Sequence, residues 1–562
     1  MAEQKPIRFK RLAANLKPKG RVVQPAAREV VKEILGDSPL DKAFLIENLH
    51  RIQDASGALS FDNLAALAEA MNLPMAAVYE VATFYHHFDI VGENEENPPP
   101  ITVRVCESLS CEMAGGAELL KALAASVGVN VRVKGAPCIG RCASAPAAVV
   151  GQNALENATV ESLTAAVAAF HTAADIPPAE TFAKYRKNGG YEIFQRCLSG
   201  EINVDGVIAE LDSSGLRGLG GAGFPVGRKW NIVRGQQGEK ILAVNIDEGE
   251  PGAFKDRYYL ERQPHCFLEG ALIAAWAVSA ADVYIYLRDE YHGCRLTLER
   301  EVAVLRADSG FALPNLYLRR GAGAYICGEE LAMIESIEGK RGEPRLRPPY
   351  VAEVGVFGRP TLEHNMETLH WIPTILAKGG EWFAPKGRRG RLGLRSFSVS
   401  GRVKNPGVHV APAGITVAEL IEEYCGGMIE GHQFYGYLPG GASGGILPAT
   451  MDDVPLDFDT VQARDGDCFI GSAAVIILSD KDRARDAALN MMKFFEDESC
   501  GQCTPCRVGT AKAVQLMEAP VWDKNLLEEL SAAMADASIC GLGQAAPNPI
   551  RCVLKHFSDE VV

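Results

Sequence analysis

Four cysteines near the C-terminal end are the residues best suited to do chemistry. Cys500, Cys503 and Cys506 stand in Ser-Cys-Gly-Gln-Cys-Thr-Pro-Cys-Arg, and Cys540 follows in Ser-Ile-Cys-Gly-Leu-Gly. Three thiolates in one short run, with a fourth further on, is the spacing that holds a cubic [4Fe–4S] cluster. A Cys-x-x-Cys dithiol would leave Cys506 without a role. Zinc takes four thiolates as well, but its paired knuckles are spaced more widely. A cubane implies one-electron chemistry.

A second set is Cys106-x4-Cys111 followed by Cys138-x3-Cys142. Two close pairs in one small region can enclose a [2Fe–2S] rhomb, two thiolates per iron, and spacing alone leaves zinc open. Seven further cysteines (197, 266, 294, 327, 425, 468 and 552) are isolated and read as small buried apolar residues. Fifteen cysteines without a signal-peptide pattern point to a reducing compartment, and so to the cytoplasm.

Three further patches mix glycine with charge. Gly218-Leu-Gly-Gly-Ala-Gly223 formally matches GxGxxG, but Val207 to Leu211 before it reads as helix, so the Rossmann context is missing. Such a loop still brings backbone N–H groups to a phosphate, and Lys229 follows nearby. Asn245-Ile-Asp247-Glu248-Gly-Glu250-Pro-Gly252 places three acids at a strand's C-terminal end, where α/β sheets bind ligands; a solvated acidic turn is the plainer alternative. Gly321-Ala-Gly-Ala-Tyr325-Ile-Cys-Gly328-Glu329-Glu330 adds an aromatic ring and more carboxylates. Together they suggest one pocket for a flat, phosphorylated cofactor.

The elements that must position these groups form several domains in 562 residues. Residues 1–24 are a basic arm, with Lys5, Arg8, Lys10, Arg11, Lys17, Lys19 and Arg21 against Glu3. Residues 25–98 carry helical periodicity (Leu64, Leu67, Met71; Val78, Val81, Phe84). In 99–175 the period turns to two. Ile101, Val103 and Val105 predict one strand, Val129, Val131 and Val133 a second, and Ala117–Leu123 a helix between them. Residues 176–389 alternate strands (241–245 and 283–288) with helices, as in a wound α/β domain. Its twelve-residue apolar run Gly270–Ala281 predicts a buried helix, too short to span a membrane. In 390–483 two strands flank an Asn405-Pro406-Gly407 turn, and Thr416 with Glu419 forms a capping box opening a helix. Residues 484–562 read as helices, with Leu526, Leu527, Leu530 and Met534 on one face. The net charge of −14 argues against nucleic acid or an anionic membrane surface as main partner.

From about residue 180 onward the chain resembles the NADH-oxidising flavoprotein of respiratory complex I. The resemblance is carried by Gly218–Pro225 with Gly227-Arg-Lys-Trp230, Asn245–Gly252, Gly321–Glu335, Pro360–Leu369 and the cysteine quartet. Residues 25–175 resemble the complex I 24-kDa-type subunit through Leu49–Asp54, Val78–Phe88 and the four-cysteine site. The resemblance implies a thioredoxin-like [2Fe–2S] domain, a Rossmann-like FMN/NAD(H) domain, a ubiquitin-like α+β module of the soluble-ligand-binding type and a helical bundle around the [4Fe–4S] cluster. By it, Gly218, Gly220, Lys229, Asn245, Asp247, Glu248, Tyr325, Gly328, Asn365 and Thr368 would hold FMN. Phe224, Glu250, Glu329 and Glu330 would face the nicotinamide nucleotide, Glu250 and Glu330 as positioning groups. It also favours [2Fe–2S] over zinc at Cys106, Cys111, Cys138 and Cys142. Four positions depart from the family pattern: Leu219 for Arg, His364 for the first Asn of a pair, Arg347 for Lys and Tyr350 for Phe. Arg347 and Tyr350 keep the charge and the ring.

The two parts are usually separate chains in complex I and are fused here. Fusion is similar to the diaphorase subunits of NAD-dependent formate dehydrogenases and NAD-reducing hydrogenases. The full likeness, including Arg395–Lys404 and Leu438–Leu447, resembles most the β subunit of molybdenum- or tungsten-dependent formate dehydrogenase. That implies a partner chain carrying the pterin-bound metal, and NAD⁺ as electron acceptor.

Overall fold

The structure, a computed structural model, describes residues 21–562. All but the last basic residue of the arm therefore lie outside the described residues. Arg21 pairs with Asp62 at 2.9 Å and Glu93 at 2.6 Å.

Four helices open the described chain: α1 (Pro25–Leu35), α2 (Leu45–Ser56), α3 (Phe61–Ala70) and α4 (Met75–Phe84). Leu64, Leu67, Val78 and Val81 point inward as their spacing predicts. The bundle leans on the next α/β domain but one. His50 Nε2 meets the Gly321 carbonyl at 2.9 Å, and Tyr85 donates to Ser336 Oγ at 2.9 Å.

The small cysteine-bearing domain has a four-stranded sheet of β1 (Ile101–Cys106), β2 (Val131–Ala136), β3 (Ala148–Val150) and β4 (Asn153–Leu155), in the order β2-β1-β3-β4. β1 and β2 are parallel, and β3 is antiparallel to β1 and β4. Helices α5 (Gly116–Ser126) and α6 (Val160–Ala168) supply Leu119, Leu123 and Leu163 to its core. The second strand starts later than its valine alternation predicts. Val129 is 93% exposed, and pairing begins with Ile101 opposite Val131.

In the central domain β5 (Lys240–Ile246), β6 (Ala280–Leu287), β7 (Asn315–Arg320) and β8 (Thr361–Asn365) form a wholly parallel sheet, ordered β8-β5-β6-β7. Ile241 to Val244 are all fully buried, the continuous apolar run expected of a parallel strand covered on both faces. The predicted helix 270–281 is α7 (Pro264–Val278). It stops short of Ala281 because Ser279 turns left-handed (φ 58°) and Ala280 already opens β6. Crossing from β7 over to β8, on the far side of β5, places the topological switch between β5 and β8. Ligands bind at such a point, beyond the strands' carboxyl ends.

The next module is a five-stranded sheet of β9 (Leu394–Gly401), β10 (Gly407–Pro412), β11 (Phe434–Leu438), β12 (Leu447–Pro448) and β13 (Ala474–Ser479), in the order β10-β9-β13-β11-β12. The Thr416–Glu419 capping box is present, with reciprocal bonds of 3.2 and 3.1 Å. Helices α8 (Ala484–Asp497), α9 (Thr504–Met517), α10 (Lys524–Ala537) and α11 (Asn548–His556) close the chain. Leu527 and Met534 of α10 are buried, while Leu526 sits at the rim. Two of the isolated cysteines have each other as neighbours: Cys468 and Cys552 bring their sulfurs to 3.3 Å, joining the β module to α11. No helix among the described residues is long and apolar enough to cross a membrane.

Candidate functional site

A cavity of about 490 Å³ opens beyond the carboxyl ends of β5 and β8. Asn245 and Asn365 stand on its floor as partners in register across the switch point. All three glycine-and-acid patches reach it. Its walls include Gly218, Gly220, Phe224, Lys229, Asp247, Glu248, Glu250, Tyr325, Gly328, Glu329 and Glu330. Gly541 and Leu542, directly after Cys540, complete the wall. The fourth cysteine of the quartet is thus the chain neighbour of the cavity lining.

The glycine loop is shaped by sterics. A Cβ on Gly220 would lie 2.9 Å from Asn365 Cβ. Gly223 has φ +62°, and a Cβ there would meet the Phe458 ring at 2.5 Å. Thr368 does not line the cavity, contrary to the role inferred for it. It is buried behind the loop, where its hydroxyl accepts the Leu219 N–H at 2.9 Å. Leu219, at the position of the family's Arg, is itself buried.

The acids divide by what they touch. Glu248 is fully partnered: its carboxylate accepts the N–H groups of Asp256 (3.0 and 3.1 Å) and Arg257 (3.2 Å) and the Tyr291 hydroxyl (2.9 Å). It caps the helix Lys255–Leu260, and burial pushes its carboxyl up to about 7. Asp247 is the opposite case. Its Oδ2 is buried without a partner, and burial raises it well above the ordinary carboxylate range. Glu250 is bound to the β module, accepting Ser443 N–H at 2.9 Å and the Ser472 hydroxyl at 3.3 Å. Glu329 caps the helix Glu330–Ile337 through Leu331 and Ala332 N–H, both at 2.9 Å, and also pairs with Arg347. Glu330 lies 3.1 Å from Arg347; burial, then the nearby Glu363, raises its carboxyl.

Several lining residues escaped the sequence reading. Lys255 is 2% exposed and pairs with Asp256 at 2.8 Å and Glu367 at 3.2 Å. Its ammonium also reaches Asn365 Oδ1 at 3.3 Å, and Asp256 accepts the Asn365 amide N–H at 2.7 Å. Glu363 holds Lys229 at 2.9 Å. The signal was there: a charged triplet, Lys255-Asp256-Arg257, follows the acidic patch after Ala253 and Phe254. His364 lines the cavity, and its Nε2 must accept the Trp230 indole N–H (2.8 Å), since that group only donates. Its proton therefore sits on Nδ1.

The donor sets fit the groups expected of them. A partnerless carboxyl oxygen in a glycine-lined cavity is an acceptor awaiting a ligand N–H or O–H, and Lys229 offers a charge beside the loop. In the small domain all four thiols lie in one cluster. Cys106 contacts Cys111 and Cys138, Cys138 and Cys142 stand 3.4 Å apart, and the Gly140 N–H points at Cys138 Sγ. Such an all-sulfur shell suits iron. In the C-terminal bundle Cys503 precedes α9 and Cys506 lies in its first turn, at the positive end of the helix. Backbone N–H groups of Leu542 and Gly543 face Cys540, and Cys500 neighbours both Cys506 and Cys540. Burial raises the Cys506 thiol to about 11 and that of Cys540 to about 12, so ionisation at neutral pH calls for a metal.

Family models match in the same order along the chain. Residues 31–171 match a thioredoxin-like [2Fe-2S] ferredoxin, 211–374 the Nuo51 FMN-binding domain, 396–447 an SLBB domain, and 486–562 the NADH-ubiquinone oxidoreductase-F iron-sulfur binding region. The F 2 subunit of the Rhizobium meliloti (strain 1021) NADH-quinone oxidoreductase is 39% identical over 404 residues, covering 69% of this chain and 95% of its own. The chain belongs to the 51-kDa flavoprotein family of NADH-quinone oxidoreductases. This flavoprotein carries a 24-kDa-type [2Fe–2S] portion fused in front. Mitochondrial NADH dehydrogenase [ubiquinone] flavoprotein 1 of Dictyostelium discoideum is 41% identical over 378 residues, 64% of this chain and 78% of that one. A solved chain of NAD+-reducing [NiFe]-hydrogenase in the H2-reduced state matches across the fusion, with a TM-score of 0.80, 30% identity and 92% of each chain covered. The flavoprotein is an FMN- and Fe–S-dependent NADH oxidoreductase component, with FMN, NAD(H), one [2Fe–2S] and one [4Fe–4S] cluster as its cofactors.

Proposed function

We propose that the chain is the NAD⁺-reducing diaphorase (β) subunit of a cytoplasmic formate dehydrogenase. Its electrons would come from a partner subunit that oxidises formate at a molybdenum- or tungsten-pterin centre. The observation that carries the diaphorase reading is the wall shared by the cavity and the cubane loop, Cys540-Gly541-Leu542. Flavin supplies the exchange between the two-electron chemistry of nicotinamide and the one-electron chemistry of the clusters.

In this reading the residues bind and orient. Cys106, Cys111, Cys138 and Cys142 hold the [2Fe–2S] cluster, and Cys500, Cys503, Cys506 and Cys540 the [4Fe–4S] cluster. Gly218, Gly220, Lys229, Asn245, Asp247, Glu248, Tyr325, Gly328 and Asn365 hold FMN, while Thr368 braces the wall from behind. Phe224, 37% exposed with the Arg228 guanidinium over its ring, lies at the nucleotide side with Glu250, Glu329 and Glu330. Asp247, its carboxyl raised by burial, presents a partnerless oxygen towards a flavin ring.

The formate partner is supported by the likeness of the chain as a whole, segments 395–404 and 438–447 included, to formate dehydrogenase β subunits. A second reading, the diaphorase of an NAD-reducing nickel–iron hydrogenase, is favoured by the match that spans the whole fusion. Anaerobic purification from the native host decides between them. Co-purifying molybdenum or tungsten with formate:NAD⁺ activity is the expected result, and co-purifying nickel with hydrogen:NAD⁺ activity would replace the first reading by the second.

A further inference from the structure

We propose that Arg288 is a positioning residue whose permanent charge ties the electron affinity of the [2Fe–2S] site to that of the flavin cavity. It follows β6 directly and its side chain is only 4% exposed. One guanidinium nitrogen, Nη2, donates to the carbonyl of Cys138, and Nη1 donates to the carbonyl of Glu248. Cys138 belongs to the sulfur cluster of the small domain, and Glu248 belongs to the cavity wall of the central domain. A single cation thus spans the two redox sites.

Holding two neutral carbonyls together does not require a charge; an amide would serve. Burying a guanidinium is costly unless it is paired and hydrogen-bonded. Its carboxylate partner is Glu290, at 3.0 Å from Nε and 22% exposed, so part of that counter-charge is screened by water. The Tyr291 ring, 5.0 Å from the guanidinium carbon, covers another side and adds no charge. The other carboxyls around it, those of Glu248, Asp247 and Glu498, are all raised by burial, which weakens them as sources of negative charge. Arg288 cannot deprotonate. A persistent, incompletely balanced positive charge therefore sits beside two centres that each become more negative on accepting an electron. It favours the reduced form of both, which keeps the [2Fe–2S] site within reach of electrons arriving from NADH.

The inference rests on the proposed assignment of Cys138 as a cluster ligand. Iron content and the [2Fe–2S] electron paramagnetic resonance signal of the wild-type chain test that assignment separately. The test of Arg288 is a redox titration of that signal in the full, cofactor-loaded chain and in R288M, R288K and E290Q. In R288M the reduced-to-oxidised ratio at a fixed potential should fall about tenfold, a midpoint lowered by about 59 mV for a one-electron couple. R288K should stay near wild type, because it keeps the charge while losing the double carbonyl contact. E290Q should shift the midpoint upward, because it removes the counter-charge. An R288K midpoint as low as that of R288M would overturn the proposal in favour of a purely structural bridge. Should R288M fail to hold its cluster, the sign of the E290Q shift decides, and an unchanged or lowered midpoint there overturns the proposal.

Discussion

Glu498 accepts the backbone N–H of Tyr325 at 2.8 Å. Glu498 stands two residues before Cys500, and Tyr325 lies in the cofactor-cavity wall. The bond stitches the cubane loop to the loop after β7, and the Tyr325 ring packs on Phe494 of α8 at 4.9 Å between centroids. Replacing Glu498 by Ala strands a buried donor, which costs about 1–3 kcal/mol. Urea unfolding of the variant should show that loss, while Glu498→Gln, which keeps an acceptor, should lose less.

Gly223→Ala should empty the flavin site. The left-handed backbone and the Phe458 ring both oppose a methyl group there. Flavin content per chain should drop at least about tenfold, for the strain of about 1–2 kcal/mol in such a conformation adds to the clash. The iron content should stay unchanged. Full flavin retention would show that the loop yields.

Thr368→Val should loosen the same loop from behind. The Leu219 N–H loses its acceptor in a dry site, costing about 1–3 kcal/mol. FMN affinity, read by recovery of flavin fluorescence on dilution, should weaken roughly fivefold to a hundredfold, and Thr368→Ser should restore it.

Glu250→Ala should reduce kcat/KM for NADH roughly tenfold or more with FMN still bound. Its carboxylate organises Ser443 and Ser472 at the edge of the cavity, and nothing in the glycine loop depends on it. Unchanged NADH turnover would place the nucleotide elsewhere.

Stability of the apo chain should carry a pH slope from Glu248. Burial lifts its carboxyl from 4.5 to about 7 in the folded state, so between those values the folded chain binds more protons than the unfolded one. The contribution is fully present below about 4.5 and is lost as pH rises through about 7. The shift corresponds to roughly 3 kcal/mol. Chemical denaturation at pH 5 and pH 8 should give a smaller difference for Glu248→Gln than for wild type.

The local elements of this chain were legible without coordinates. Alternation in Ile101–Val105, the run Ile241–Asn245 and the Thr416–Glu419 box each follow from short-range sterics and hydrogen bonding, which neighbours in sequence control. Metal-ligand spacing is equally local for Cys500, Cys503 and Cys506. Boundaries slipped where one residue's backbone decided them, as at Ser279, or where pairing chose the strand's start, as at Val131.

Tertiary packing decided which way each side chain faces. Glu248, Asp247 and Glu250 are near neighbours, yet one caps a helix, one points a partnerless oxygen into the cavity region, and one bonds a module about 200 residues away. Lys255 joined the site only because β5 and β8 meet in register, and Cys468 found Cys552 only because α11 folds back on the β module. Residue type and spacing thus determined the chemistry available to this protein. Its direction was decided by long-range burial, because a charged or polar group removed from water must find its partner wherever the fold supplies one.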